Sequence, residues 1–176
     1  MMEKAKSIRL LAMDVDGVLT NGDIIYSDDG TELKIFNNLD GQGLAIANFG
    51  GLMTAIITGR ASPAVQRRAE ELGITFVYQG CRDKGAVLRR LMTETGIQRE
   101  EIAFIGDDLN DLLAFRECGW SLAVKNACAD VRHAADHVTQ REGGKGAVRE
   151  VVEIILESQG KWASAVAAFL RHLEQT

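Results

Sequence analysis

The sequence predicts an α/β fold in which a mostly parallel sheet is flanked by helices and a β-hairpin follows the first strand. Short apolar runs without period-two alternation recur along the chain, as suits strands buried on both faces. Longer amphipathic stretches lie between them, the alternation expected of crossover helices. Eighteen glycines against a single proline fit many tight strand-to-helix turns.

Taken in order, the strand-like runs are residues 8–13, 52–57, 75–78, 102–105 and 121–124, and Asp, Thr, Gly or Lys follows all but the third. Helix-like stretches cover about 43–49, 62–72, 84–95, 108–118 and 146–157. A last helix at about 161–174 carries Trp162, Val166, Phe169 and Leu173 at helical spacing and reads as a packing helix. The alternation breaks at residues 22–26 and 31–36, β-prone arms around Ser27-Asp28-Asp29-Gly30, a hairpin insertion spanning about 20–36. An isolated hairpin is marginal in water, so it is expected to pack on its own domain or on another subunit. The result is a Rossmann-like arrangement, in which ligands collect where strands end at their carboxyl edge.

At 176 residues, 46% hydrophobic and 26% charged, the chain suits one domain over 1–176. A net charge of −5 and a pI near 5.3 argue against nucleic acid as a partner. Cys81, Cys118 and Cys128 are odd in number with no CxxC pair, so neither a disulfide framework nor a zinc site is expected. Residues 1–9 are too charged and too short in apolar content for a signal peptide, and no apolar run reaches about 18 residues. A cytoplasmic location without a membrane partner is the expectation.

The first strand runs into Asp14 and Asp16, two carboxylates two residues apart. Phosphoryl transfer through an enzyme intermediate needs an oxygen nucleophile ionised at neutral pH, which a carboxylate is without a base to activate it. A second carboxyl can protonate the leaving alcohol and then activate water, provided its pKa is raised by nearby charge. Asp14 suits the first task and Asp16 the second. A calcium loop is the wrong reading, because Val15 and Gly17 interrupt the ligand positions and Ile25 stands where a bidentate Glu is required.

Thr58-Gly59-Arg60 ends the second interior strand, where a hydroxyl and the amides opening the next helix can bind phosphate oxygens. Lys84 stands near a helix start, able to hold a phosphate or pair with Asp14. Asp107, Asp108 and Asp111 crowd three carboxylates into five residues at a strand-to-helix turn. Their repulsion exceeds what capping explains, and a hard cation such as Mg²⁺ would relieve it. The glycine-rich stretch at 143–146 is a poor P-loop, since Gly146 follows Lys145 where Ser or Thr is required.

Asp14-x-Asp16, Thr58, Lys84 and Asp107-Asp108-x-x-Asp111, in that order, resemble the four-motif signature of the haloacid dehalogenase-like hydrolases. The resemblance implies that Asp14 attacks phosphorus and that Asp16 is the general acid/base. It implies that Thr58 and Lys84 bind the transferring phosphoryl, and that Asp14, the Asp16 main-chain carbonyl and Asp107 hold Mg²⁺, with Asp108 and Asp111 in support. Only 25 residues separate Thr58 from Lys84, too few for a cap domain, so closure of the site would come from a neighbouring subunit.

From Met13 to about Trp162 the chain is similar to the capless 3-deoxy-D-manno-octulosonate 8-phosphate phosphatase family of lipopolysaccharide sugar synthesis. Shared features include Phe36 with Asp40-Gly41-x-Gly43, the run 56–60, Tyr78-Gln79-Gly80 and the run 143–150. The resemblance implies a homotetramer built by the hairpins, with sites at subunit contacts and a glycine-rich C-terminal segment able to close over a neighbouring site. A sugar acid phosphate carries a second anion, for which Arg60, Arg68 and Lys145 are the candidate cations, beside Gly59 at the phosphate. Relatives acting on nine-carbon keto-acid phosphates tend to carry an acidic residue at the position of Arg60, which favours the eight-carbon acid here. Asn37-Asn38-Leu39 departs from the family's valine and basic residue, which removes one substrate cation. Another keto-sugar acid phosphate, a catalytically silent tetrameric module and a receiver-like domain are the alternatives. His133, His137 and His172 show no ligand spacing.

Overall fold

A computed structural model describes residues 2–175. Its centre is β1 (Leu10–Met13), buried at all four positions. The other strands of the sheet are β4 (Met53–Ile57), β5 (Phe76–Tyr78), β6 (Ile102–Gly106), β7 (Trp120–Ala123) and β8 (His137–Val138). The order is β5-β4-β1-β6-β7-β8, and every neighbouring pair is parallel. Aliphatic runs form such strands because both faces of a parallel sheet are covered by helices. Met13 aligns with Ile56 of β4 and Ile105 of β6. That register brings Asp14, Thr58 and Asp107 out together at the carboxyl edge.

The helices α1 (Met2–Ser7), α2 (Asn38–Phe49), α7 (Ala147–Ser158) and α8 (Trp162–Leu173) pack as one group. A second group is α4 (Lys84–Thr95), α5 (Leu112–Phe115) and α6 (Ala129–Ala134), and α3 (Pro63–Glu71) joins β4 to β5. The last helix packs as expected: Phe169 meets Phe49 edge-on at 5.9 Å, and the Arg149 guanidinium lies 4.8 Å from the Trp162 ring centre. No helix among the described residues is long and apolar enough to cross a membrane.

Several elements differ from expectation. The helix expected from residue 43 begins at Asn38, where the Asn37 side chain accepts from the Leu39 N–H at 2.8 Å. Gly41 and Gly43 weaken the helical signal there: an added Cβ on Gly41 would push aside the end of the Arg68 side chain, 2.3 Å away, and one on Gly43 would meet the Arg149 backbone Cα at 2.9 Å, so Gly43 is the one that close packing requires. The stretch 108–118 is no single helix. It is a 3₁₀ turn, Leu109–Asp111, followed by the four-residue α5. The turn is tightened by Asp108 and Asp111, whose carboxylates accept backbone N–H groups within it. α1, α6, β8 and a 3₁₀ turn at Arg99–Glu101 were not expected; all are six residues or shorter, too brief for a periodic pattern.

The hairpin is present but short. β2 (Ile25–Tyr26) and β3 (Glu32–Leu33) pair only as Ile25 with Leu33 and Tyr26 with Glu32. The Gly30 N–H donates to the Ser27 carbonyl at 2.9 Å to close the turn. Ile24, Tyr26, Leu33 and Ile35 remain exposed.

Candidate active site

Beyond β1 the chain turns sharply: the N–H groups of Val18, Leu19 and Thr20 all donate to the Val15 carbonyl, at 3.2, 2.9 and 3.0 Å. Gly17 sits in this turn at φ +90°, and a Cβ there would lie 2.1 Å from Asp107 Oδ2. Glycine is therefore required both by the backbone conformation and by the close approach of the β6 carboxylate.

Asp14 is 5% exposed. Its Oδ1 accepts from the Val15 N–H at 2.7 Å and its Oδ2 lies 2.7 Å from Lys84 Nζ. Lys84 is fully buried, delivered by the first turn of α4, where the Asp83 carboxylate caps the Ala86 N–H at 2.9 Å. The same ammonium reaches Asp111 Oδ1 at 2.5 Å. Asp111 Oδ2 accepts from the N–H groups of Asp107 and Asp108, at 2.8 and 3.3 Å, so both of its oxygens are occupied. Asp107 differs: its Oδ1 is buried with no hydrogen-bond partner.

This electrostatic arrangement is unbalanced. Burial, then the Asp111 charge, pushes Asp14 up to about 6 against the pull of Lys84. Burial, then the Asp111 and Asp14 charges, pushes Asp107 up to about 7. Ligand oxygens of Asp14, Asp107 and Asp111 lie within 4.8 Å of one another. One lysine does not offset two buried carboxylates and a half-buried one, and it leaves an orphaned oxygen on Asp107, so a hard cation fits between Asp14 and Asp107. Asp111 holds Lys84 and the Asp107 turn in place.

The mouth of the site is a cavity of about 380 Å³ lined by Asp14, Asp16, Thr58, Gly59, Arg60, Asp107 and Asp108, among others. The motif residues thus converge, Lys84 and Asp111 from beneath. Arg60 also reaches the cavity, held by Glu32 at 2.7 Å and the Tyr26 hydroxyl at 3.0 Å. Arg68 and Lys145 do not line it. Arg68 lies 5.9 Å from the centre of the Phe36 ring and pairs with Glu71 at 3.2 Å, while Lys145 pairs with Glu142 at 2.7 Å on the surface.

Two features escaped sequence reasoning. Lys34, on the hairpin, has a side chain only 2% exposed, bound to the Asp16 carboxylate and 2.9 Å from Glu32. Its two-residue spacing from Glu32, which places both on one face of a strand, was the available signal. The glycine-rich segment lies on its own chain's turn at residues 15–20. Gly144 donates to the Val18 carbonyl at 2.8 Å, and a Cβ on Gly143 would come within 1.7 Å of the Gly17 carbonyl oxygen. The buried Asp40 carboxylate fixes this strap by accepting from the N–H groups of Gly146 and Arg149, at 3.1 and 3.0 Å.

Residues 76–151 match the haloacid dehalogenase-like hydrolase family. The chain is 41% identical over 161 residues to the 3-deoxy-D-manno-octulosonate 8-phosphate phosphatase KdsC of Haemophilus influenzae, covering 92% of this chain and 89% of the relative. A crystal structure of the Moraxella catarrhalis 3-deoxy-D-manno-octulosonate 8-phosphate phosphatase, in complex with magnesium, phosphate and KDO, superposes with a TM-score of 0.92 at 48% identity, over 96% of this chain and 97% of that one. The cobalt-bound Haemophilus influenzae phosphatase superposes at 0.88 with 39% identity, over 93% and 99% of the two chains. The chain therefore belongs to the KdsC phosphatase family within the haloacid dehalogenase-like hydrolases.

Proposed function

We propose that the chain hydrolyses 3-deoxy-D-manno-octulosonate 8-phosphate to the free sugar acid and phosphate through an aspartyl-phosphate on Asp14, in a Mg²⁺-dependent reaction. The observation that carries this reading is the convergence of Asp14, Asp16 and Asp107 at one cavity, with Lys84 paired to Asp14 beneath it, in a chain so similar to proteins named for that activity. Asp14, Asp107 and the main-chain carbonyl of Asp16 would hold Mg²⁺, which when bound supplies positive charge beside the phosphoryl oxygens.

Asp14 attacks phosphorus; its pairing with Lys84 and the neighbouring N–H of Val15 fixes the carboxylate for in-line approach. Thr58 and Lys84 hold the phosphoryl oxygens. Asp16 gives its proton to the bridging oxygen as the ester bond breaks, then takes a proton from the water that attacks the aspartyl-phosphate. Gly59 leaves room beside the phosphate, and Arg60 offers a cation to the sugar carboxylate. Arg68 and Lys145 would act on substrate only from a neighbouring chain.

That requirement, and the exposed apolar residues of the hairpin, support a homotetramer with sites at subunit contacts. The reading places the enzyme in lipopolysaccharide sugar synthesis in the cytoplasm, a compartment suited to the three free cysteines. A panel of phosphate esters tests it: the octulosonate 8-phosphate, a nine-carbon nonulosonate 9-phosphate, other primary-alkyl phosphates and p-nitrophenyl phosphate, each with and without Mg²⁺. The eight-carbon ester should show the highest kcat/KM and depend on the cation. Equal turnover of the aryl ester, or preference for the nine-carbon acid, would overturn the substrate assignment.

A further inference from the structure

We infer that Lys34 is a positioning residue for Asp16, so that the hairpin, besides its place in assembly, sets the orientation of the group that protonates the leaving alcohol. The inference rests on the assignment of Asp16 as general acid/base. Lys34 follows β3 in a segment whose neighbours face water: Leu33 is 49% and Ile35 66% exposed. Yet the Lys34 side chain is 2% exposed. Immobilising and desolvating a lysine on a hairpin with only two paired positions is unfavourable by itself. Two carboxylates offset that cost, Asp16 through Oδ1 and Glu32 through Oε1.

The pairs continue as a chain along the rim of the cavity. Glu32 uses its second oxygen for Arg60 at 2.7 Å, so the charges alternate from Asp16 to Lys34, Glu32 and Arg60. Both ends of the chain line the cavity. Asp16 follows directly on the Val15 turn, and no other described side chain donates to its carboxylate. Lys34 therefore decides which Asp16 oxygen is engaged and leaves Oδ2 for the reacting proton. As Asp14 forms its bond to phosphorus, the bond to the ester oxygen breaks, its electron pair stays on that oxygen, and the Asp16 proton moves there. Misplacing Oδ2 affects this step only where the departing oxygen needs the proton.

Leaving-group dependence separates such a role from mere anchoring of the hairpin. kcat/KM, which reports the step in which the leaving group departs, is measured for the fastest primary-alkyl phosphate of the panel and for p-nitrophenyl phosphate, whose phenolate leaves with little help. Asp16→Asn should depress the alkyl ester about 100-fold more than the aryl ester. Lys34→Met should show the same bias at about tenfold, Lys34→Arg should restore most of it, and Lys34→Met in the Asp16→Asn background should lose nothing more. Mass in solution and thermal melting of each variant verify the fold, and Lys34→Gln serves where Lys34→Met does not fold. Equal losses on both esters for the Lys34 variants, with the Asp16→Asn bias intact, would refute the positioning role alone. Absence of bias in Asp16→Asn would overturn the assignment of Asp16 and the inference with it.

Discussion

Lys84 Nζ lies 2.7 Å from Asp14 Oδ2 although the lysine is fully buried, which joins the proposed nucleophile to the base of the site. The same nitrogen holds Asp111, whose other oxygen shapes the turn carrying Asp107. One cation thus connects the ends of β1 and β6 and the start of α4.

Lys84→Met tests this connection. It leaves Asp14 and Asp111 buried without their cation, a change expected to cost about 3–5 kcal/mol of stability and to abolish turnover. Urea unfolding with Mg²⁺ present measures the first and phosphate release the second. A variant as stable and active as the parent would show that the pairing is incidental.

The metal site should reveal itself in the pH dependence of stability. Asp14 and Asp107 are raised to about 6 and 7 in the folded chain, from 3.8. Between those limits the folded state without metal binds more protons than the unfolded state, so this contribution falls as pH rises from about 4 to about 7 and is flat above. Mg²⁺ competes with those protons. The difference in Tm between Mg²⁺ and EDTA should therefore grow from pH 4 to 7 and level off beyond about pH 8. A difference independent of pH would place the cation elsewhere.

Two glycines with similar backbone angles should respond differently. Gly17 and Gly30 have φ of +90° and +83°, but a Cβ on Gly17 meets Asp107 and one on Gly30 meets nothing within 4 Å. Gly30→Ala should lower stability by about 1–2 kcal/mol and spare kcat. Gly17→Ala should displace Asp107, raising the Mg²⁺ concentration needed for half activity about tenfold or more. Equal effects from the two would argue against the close approach.

Ile24 and Ile35 are 53% and 66% exposed on the hairpin. Replacing both with Glu should leave the sheet intact and reduce the mass measured by light scattering to that of one chain, with loss of activity on the sugar acid phosphate. A fully active monomer would remove the need for a shared site.

Much of the site could be read from the sequence because Asp14, Thr58 and Asp107 each follow an apolar run, and parallel strands bring such ends together. Lys84 was legible by its order among those residues. The start of α2 was hidden by Gly41 and Gly43, of which the second admits the close approach of Arg149 on α7. α5 was overestimated because Asp108 and Asp111 serve the loop before it. Lys34 was obscured for another reason: its burial exists only where the hairpin meets the Asp16 turn, 18 residues away in the chain.

The most direct test of the account is chemical identification of the phosphorylated residue. The enzyme is mixed with substrate and Mg²⁺, quenched in acid within milliseconds and treated with borohydride, which reduces an aspartyl-phosphate to homoserine; peptide mass spectrometry then locates it. Homoserine should appear at position 14 and vanish in Asp14→Asn. Homoserine at another aspartate, or undiminished turnover by Asp14→Asn, would contradict the central claim.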